Sequence, residues 1–242
     1  MRRGNLLRRF SLATILFWAI FSVILISGQA FAAEDQNFTF LQAYIDYGDR
    51  VEGRDVLKWD GEGWIGKDYN KLWLKSKGVR AHDGVEEAEV QALYSRYLAE
   101  YWDLQVGVRR DFEPGTRNYG VLGVQGLASY FIETSLAAFA SAEGDMSVRA
   151  DLRYDILFTQ KLIAQLYFTG NVYARDINDS KVGAGLSDID TGIRFRYEII
   201  REFGPYLDFN YARLFGRTAD FAMNMGRDPS ESSVRVGLRF WF

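Results

Sequence analysis

Few side chains in this 242-residue chain could do metal or acid-base chemistry. Beyond the initiator there are three thioethers: Met146, and Met223 with Met225 in the stretch Ala222-Met223-Asn224-Met225-Gly226. There is one imidazole, His82, in Val79-Arg80-Ala81-His82-Asp83-Gly84, and no cysteine. Thioethers and imidazole favour soft ions such as Cu(I), whereas carboxylates accept harder cations. Two thioethers at i and i+2 converge on one ion if the segment is extended, since alternate residues then share a face. Loop methionines also serve to cover apolar surface, and a lone loop histidine can simply be solvated, so both readings stay open. Triad hydrolysis would rest on His82 alone, so no enzymatic role is expected. Without cysteine, disulfides and thiolate metal sites are excluded, and no glycine-rich phosphate loop, EF-hand or zinc spacing occurs.

A third group of candidates is more numerous: carboxylates that alternate with apolar residues. Residues 147 to 158 put Val148, Ala150, Leu152, Tyr154, Ile156 and Phe158 on one face, and Ser147, Arg149, Asp151, Arg153 and Asp155 on the other. Residues 188 to 199 and 233 to 242 repeat the pattern. A period of two over ten or more residues reads as a half-buried β-strand. Such strands are long for a soluble sandwich but match the ~9 to 11 tilted residues that cross a bilayer. Both charge signs share the polar face, as a narrow barrel lumen requires. Asp103, Glu133, Asp151, Asp155, Asp188, Asp190, Glu198 and Asp208 are then the lumen carboxylates that could form a cation path, with Glu133, Asp151, Asp155, Asp188 and Asp190 as the candidate site, or they could equally neutralise the lumen arginines.

Composition agrees with a transmembrane barrel. The chain is 48% hydrophobic, 16% aromatic and 25% charged, with 23 glycines, and its mean hydropathy of -0.17 excludes a polytopic helical membrane protein. Residues 1 to 32 read as a secretory signal peptide: Arg2, Arg3, Arg8 and Arg9, then an apolar run from Leu12 to Ile26, then Ala30-Phe31-Ala32. Cleavage after Ala32 leaves 25 basic residues against 32 acidic ones, a formal charge of -7, which argues against a nucleic-acid partner. Residues 33 to 242 are expected to form one antiparallel outer-membrane β-barrel of twelve strands, with ten as a variant because alternation blurs between 54 and 77. The expected strands lie near 38–48, 54–63, 70–77, 88–98, 101–111, 119–128, 130–141, 146–157, 162–173, 186–200, 205–215 and 231–242. Connections after even strands are mostly short and those after odd strands longer, notably 78–87, 112–118, 174–185 and 216–230, which places both chain ends on the periplasmic side. Tyr44, Tyr47, Tyr101, Trp102, Tyr130, Tyr173, Tyr206, Tyr211 and Trp241 are the expected interfacial girdle.

Several segments resemble the copper resistance protein B (CopB/PcoB) family. They include Trp59-Asp60-Gly61-Glu62-Gly63-Trp64-Ile65-Gly66, Tyr69 to Lys75, Tyr101 to Gln105, Val124 to Ala128, Gly144-Asp145, Arg194 to Ile199, Arg201 to Tyr206 and Thr218-Ala219-Asp220, in collinear order from Phe38 to Phe242. The resemblance implies an outer-membrane barrel of a copper resistance system, in contact with membrane lipid and copper ions and working beside a periplasmic multicopper oxidase. Family members often carry a Met- and His-rich segment ahead of the barrel, and here only Ala33 to Asn37 fill that place. Copper handling is therefore expected to use Met146, Met223, Met225, His82 or the lumen carboxylates. The alternatives are a general small porin, and a structural barrel that docks the oxidase.

Overall fold

A computed structural model describes residues 38–50, 54–81 and 84–242. The expected signal peptide and His82 lie outside these residues. Twelve antiparallel strands, each paired with its sequence neighbours, close into a barrel when β1 (Phe38–Arg50) pairs with β12 (Ser230–Trp241). The seam runs to the last residue, where Leu41 and Phe242 exchange backbone hydrogen bonds of 2.9 and 2.8 Å. Between them lie β2 (Arg54–Lys67), β3 (Asn70–Ala81), β4 (Gly84–Ala99), β5 (Trp102–Glu113), β6 (Arg117–Ala128), β7 (Ile132–Ser141), β8 (Met146–Leu157), β9 (Leu162–Tyr173), β10 (Gly185–Tyr197) and β11 (Phe203–Leu214). Closure leaves no unpaired strand edge, which a bilayer would not tolerate. No helix among the described residues is long and apolar enough to cross a membrane.

Twelve strands is the expected number, but three connections are shorter than the sequence suggests, one of them the expected 112–118 loop, which shrinks to residues 114–116 between β5 and β6. β3 and β4 pair as far as Ala81 opposite Gly84, with a bulge at Val79/Arg80, so the expected 78–87 loop is mostly ladder. Gly78 breaks the visible alternation. Its outward face is covered instead by the ring of Trp59, which a Cβ on Gly78 would meet at 2.1 Å, and whose Nε1 donates to Ser76 Oγ at 3.2 Å. Likewise β2 continues through Gly61 and Gly63 to Lys67, leaving only Asp68 and Tyr69 as the turn. Two long connections remain, residues 174–184 and 215–229, and the second contains a helix, α1 (Gly216–Asn224). Both lie at the barrel end opposite Phe38 and Phe242.

Tyr47, Tyr130 and Tyr211 are exposed as a girdle requires, whereas Tyr101 lines the mouth of a lumen cavity. The girdle expectation fails for Tyr44 and Tyr206, which are buried in the lumen. Tyr173 and Trp241 also share the inward parity of Asn171 and Arg239. Arginines explain the inversion. The guanidinium of Arg194 lies 5.0 Å from the Tyr44 ring and 5.5 Å from that of Tyr206, a stacking worth more to a desolvated cation than to one in water.

The candidate lumen site

Inward-facing side chains divide the lumen into two unlike halves. Around β9 to β12 and β1 it is packed solid. Asp208 on β11 is 0% exposed and Asp46 on β1 is 4% exposed. Arg194 on β10 and Arg235 on β12 lie between them, with Arg235 3.5 Å from Asp208 and Arg194 3.7 Å from Asp46. Tyr167 donates to Asp208 at 3.1 Å and accepts from Asn210 at 2.8 Å, while its ring stacks on the Arg194 guanidinium at 4.3 Å. Two glycines make room for these rings: a Cβ on Gly237 would fall 2.2 Å from Tyr206 Cζ, and one on Gly192 2.6 Å from the Tyr167 hydroxyl. Satisfaction is incomplete in this half. The Tyr44 and Tyr206 hydroxyls, Asp46 Oδ1, Asp208 Oδ1 and the Nε atoms of Arg194 and Arg235 are buried with no hydrogen-bond partner among the described residues.

The half formed by β3 to β8 is looser. It holds an apolar cluster of Trp73, Leu93, Tyr119, Val121 and Phe139 and a cavity of about 300 Å³ walled by Lys75, Lys77, Gln105, Gln125, Glu133 and Phe139 among others. Lys75 donates to Gln125 at 2.6 Å, and Gln105 to Gln125 at 3.0 Å. Lys71 is held by Asp103 at 2.6 Å. Towards the 174–184 end, Arg109 bridges Glu89 at 2.9 Å and Asp111 at 2.6 Å.

Ion pairs between distant strands separate the halves. Arg153 on β8 reaches Asp60 at 3.1 Å and Glu62 at 3.3 Å on β2, on the opposite wall. Lys77 on β3 spans Asp60 at 3.6 Å and Asp151 at 3.4 Å. Arg149 grips Glu89 on β4 at 2.7 and 3.1 Å, and Lys58 meets Asp190 at 3.5 Å. A barrel of this width is thus crossed by charge rather than left open.

The structure sorts the five lumen carboxylates expected to form the site. All face inward. Asp151 is held by Lys77 and by Thr169 at 2.8 Å. Asp155 is held by Arg196 at 3.1 Å and Gln165 at 2.8 Å, and Asp190 by Lys58 and Asn210. Among the described residues, Asp188 accepts from Asn171 at 2.7 Å without an ion pair, and Glu133 has neither. These two carboxylates sit at opposite ends: Glu133 is the second residue of β7 at the short-turn end, while Asp188 lies near the start of β10 at the long-loop end, where Glu87 shares its electrostatic environment.

The methionines are not gathered. Met146 is 57% exposed and has the outward parity of Val148 on β8. Met223 lies in α1 and Met225 caps its C-terminus, so the extended segment that would aim both thioethers at one ion is a helical turn. At ~100° per residue, i and i+2 diverge. Met223 and Met225 are 52% and 46% exposed, and Met225 Sδ contacts Arg227 at 3.8 Å. No group of three His, Cys, Asp or Glu side chains poised for a metal occurs among the described residues.

Sequence reasoning missed Asp145. It is buried at the β7–β8 connection, where it takes the guanidinium of Arg117 from β6 and that of Arg175 from the 174–184 loop, at 2.5 Å for the latter. The Ser141 hydroxyl receives its backbone N–H at 3.2 Å. The 174–184 loop in turn holds α1: Thr218 accepts from the Gly183 N–H at 2.9 Å and pairs with Ser187 at 3.1 Å, and Arg217 meets Asp176. The only advance signal was the Gly144-Asp145 pair.

Known proteins share both sequence and shape with this chain. The family model described as Copper resistance protein B precursor (CopB) matches residues 39–242. Copper resistance protein B of Escherichia coli is 35% identical over 218 residues, which is 90% of this chain and 73% of that protein. The Copper resistance protein B homolog of Pseudomonas syringae pv. tomato is 37% identical over 207 residues, 85% of this chain and 70% of that protein. Among solved structures, the NanC porin superposes with a TM-score of 0.56 at 15% identity, covering 82% of this chain and 98% of that one. This last likeness is one of fold. Sequence match and closed twelve-strand barrel together make the chain a member of the copper resistance protein B family, built as an outer-membrane β-barrel.

Proposed function

We propose that the barrel binds copper ions and passes them across the outer membrane, as a copper-resistance component that catalyses no reaction. Family membership over nearly the whole barrel carries this reading. Charge placement supports it. Glu133 at one end and Asp188 with Glu87 at the other offer carboxylates without a competing cation in ion-pair contact among the described residues, and either end could draw in a hydrated cation. Passage between the ends requires Arg153 and Lys77 to release Asp60. The same ion pairs disfavour a general solute pore. Met223 and Met225, exposed at the long-loop end, are placed to meet copper singly rather than as a joint site. A periplasmic multicopper oxidase is the proposed partner, and co-purification tests that part.

The main test is copper tolerance in cells lacking this protein, complemented with wild type or with Glu133→Gln combined with Asp188→Asn. Equal amounts of folded barrel are verified by heat-modifiable migration. The double variant should lose most of the tolerance that wild type restores. Full tolerance would remove the carboxylate route, and full tolerance in Met223→Ala with Met225→Ala would remove the loop thioethers.

A further inference from the structure

Around the β3–β8 cavity one carboxylate, Glu133, has no ion pair among the described residues, and one ammonium, Lys75, has only a long pair with a carboxylate that it shares with Arg153. Lys75, 9% exposed, donates to the amide oxygens of Gln125 at 2.6 Å and Gln105 at 3.5 Å. Its nearest carboxylate, Glu62, lies 3.8 Å away and is engaged by Arg153 at 3.3 Å. On the β7 wall, Glu133 takes part in no ion pair or side-chain hydrogen bond among the described residues. The remaining charges on the cavity wall are matched: Arg149 by Glu89, Arg153 by Asp60 and Glu62, and Lys77 by Asp151. Apolar side chains, Leu93, Leu127, Ala137 and Phe139, complete the wall.

A buried ammonium held mainly by neutral amides is under-compensated, and an ionised ligand group gains most at such a place. A bare anion would answer only Lys75 and a bare cation only Glu133. Neither would use the apolar wall. A volume of about 300 Å³ is at the small end of the ligand-site range, and suits a molecule of roughly ten heavy atoms. We propose that this cavity binds a free α-amino acid with an apolar side chain, its carboxylate on Lys75, its ammonium on Glu133 and its side chain against Leu93, Leu127 and Phe139. The proposal does not rest on the copper reading, since neither contact involves a metal.

Titration calorimetry of the full-length barrel, folded in detergent and stripped of metal with a chelator, tests it with three probes. L-leucine carries both charges, N-acetyl-L-leucine lacks the ammonium and L-leucinamide lacks the carboxylate. Leucine should bind, and each analogue should bind at least tenfold more weakly. Glu133→Gln, at a solvent-accessible position that should not affect folding, should abolish the preference for leucine over N-acetyl-leucine. Lys75→Met should abolish the preference over leucinamide, with heat-modifiable migration confirming its fold. No heat with leucine, equal binding of N-acetyl-leucine, or an unchanged preference in Glu133→Gln would each overturn the assignment. A separate Cu(II) titration reports on copper binding and leaves this outcome unaffected.

Discussion

The two halves of the lumen solve one problem differently. Each must place charged side chains inside a narrow barrel. The β9–β1 half does so by close packing: Asp46, Asp208, Arg194 and Arg235 interlock, with tyrosines stacked on the guanidiniums and glycines opposite the rings. The β3–β8 half spreads its charges around a cavity and inserts amides and apolar side chains between them. The first resembles a protein core made from ions, and the second a binding site. On the proposed passage of copper, in which cross-barrel pairs must open, a closely packed wall facing a looser one means that only one side has to move.

Removing a charge from the packed half should have the largest effect. Asp208→Leu leaves Arg194 and Arg235 facing Asp46 alone, and an uncompensated buried charge costs about 3 to 5 kcal/mol. Reversible urea unfolding in detergent or lipid should show a loss of that size. A loss below about 1 kcal/mol would mean that the two halves are equally yielding. Next comes steric pressure. Gly237→Ala drives a methyl into Tyr206 and should cost about 1 to 3 kcal/mol by overpacking. Ala137→Leu, which projects into the cavity, should cost less than about 1 kcal/mol in the same assay. If the two substitutions cost the same, the cavity is not available space.

The contrast between halves was only partly legible in the sequence. Alternation in 147–158, 188–199 and 233–242 identifies the inward residues correctly, because a period of two is a local property. It fails around Gly61, Gly63 and Gly78, where outward positions lack side chains and a neighbouring tryptophan covers one of them. Which carboxylates are paired was not legible at all. Asp60 and Arg153 lie 93 residues apart and meet only after closure, so no local pattern distinguishes a neutralised Asp151 from an unpaired Glu133. The aromatic girdle was misread for a related reason, since a tyrosine near a strand end points to lipid or to lumen by parity alone. Thr218 and Ala222, buried at i and i+4 in α1, carried the helical spacing that the Met223–Met225 reading overlooked.

Asp145 tests whether the long-loop end behaves independently of the lumen. It gathers Arg117 and Arg175, so Asp145→Asn should weaken charge-assisted bonds worth about 1.5 to 3 kcal/mol in local terms. That loss should appear as faster tryptic cleavage at Lys181 in the 174–184 loop. Global urea unfolding should move by less, because loops open below the global transition. An equal shift in both measurements would make the loop cluster part of the barrel's cooperative unit.

The smallest expected effect is the most informative about the looser half. Glu133 carries the same formal charge as Asp208 and faces the same lumen, yet it is exposed and has no ion pair among the described residues. Glu133→Gln therefore removes no matched interaction and should change unfolding by less than about 0.5 kcal/mol, in the range of ordinary exposed substitutions. A carboxylate that contributes nothing to stability is available to bind a ligand in the lumen. A loss of 2 kcal/mol or more would show instead that Glu133 neutralises Arg153 or another cation through solvent, and the cavity wall would then be matched on both sides. Near-neutral stability together with a changed ligand preference is the combination that separates a binding wall from a packed one.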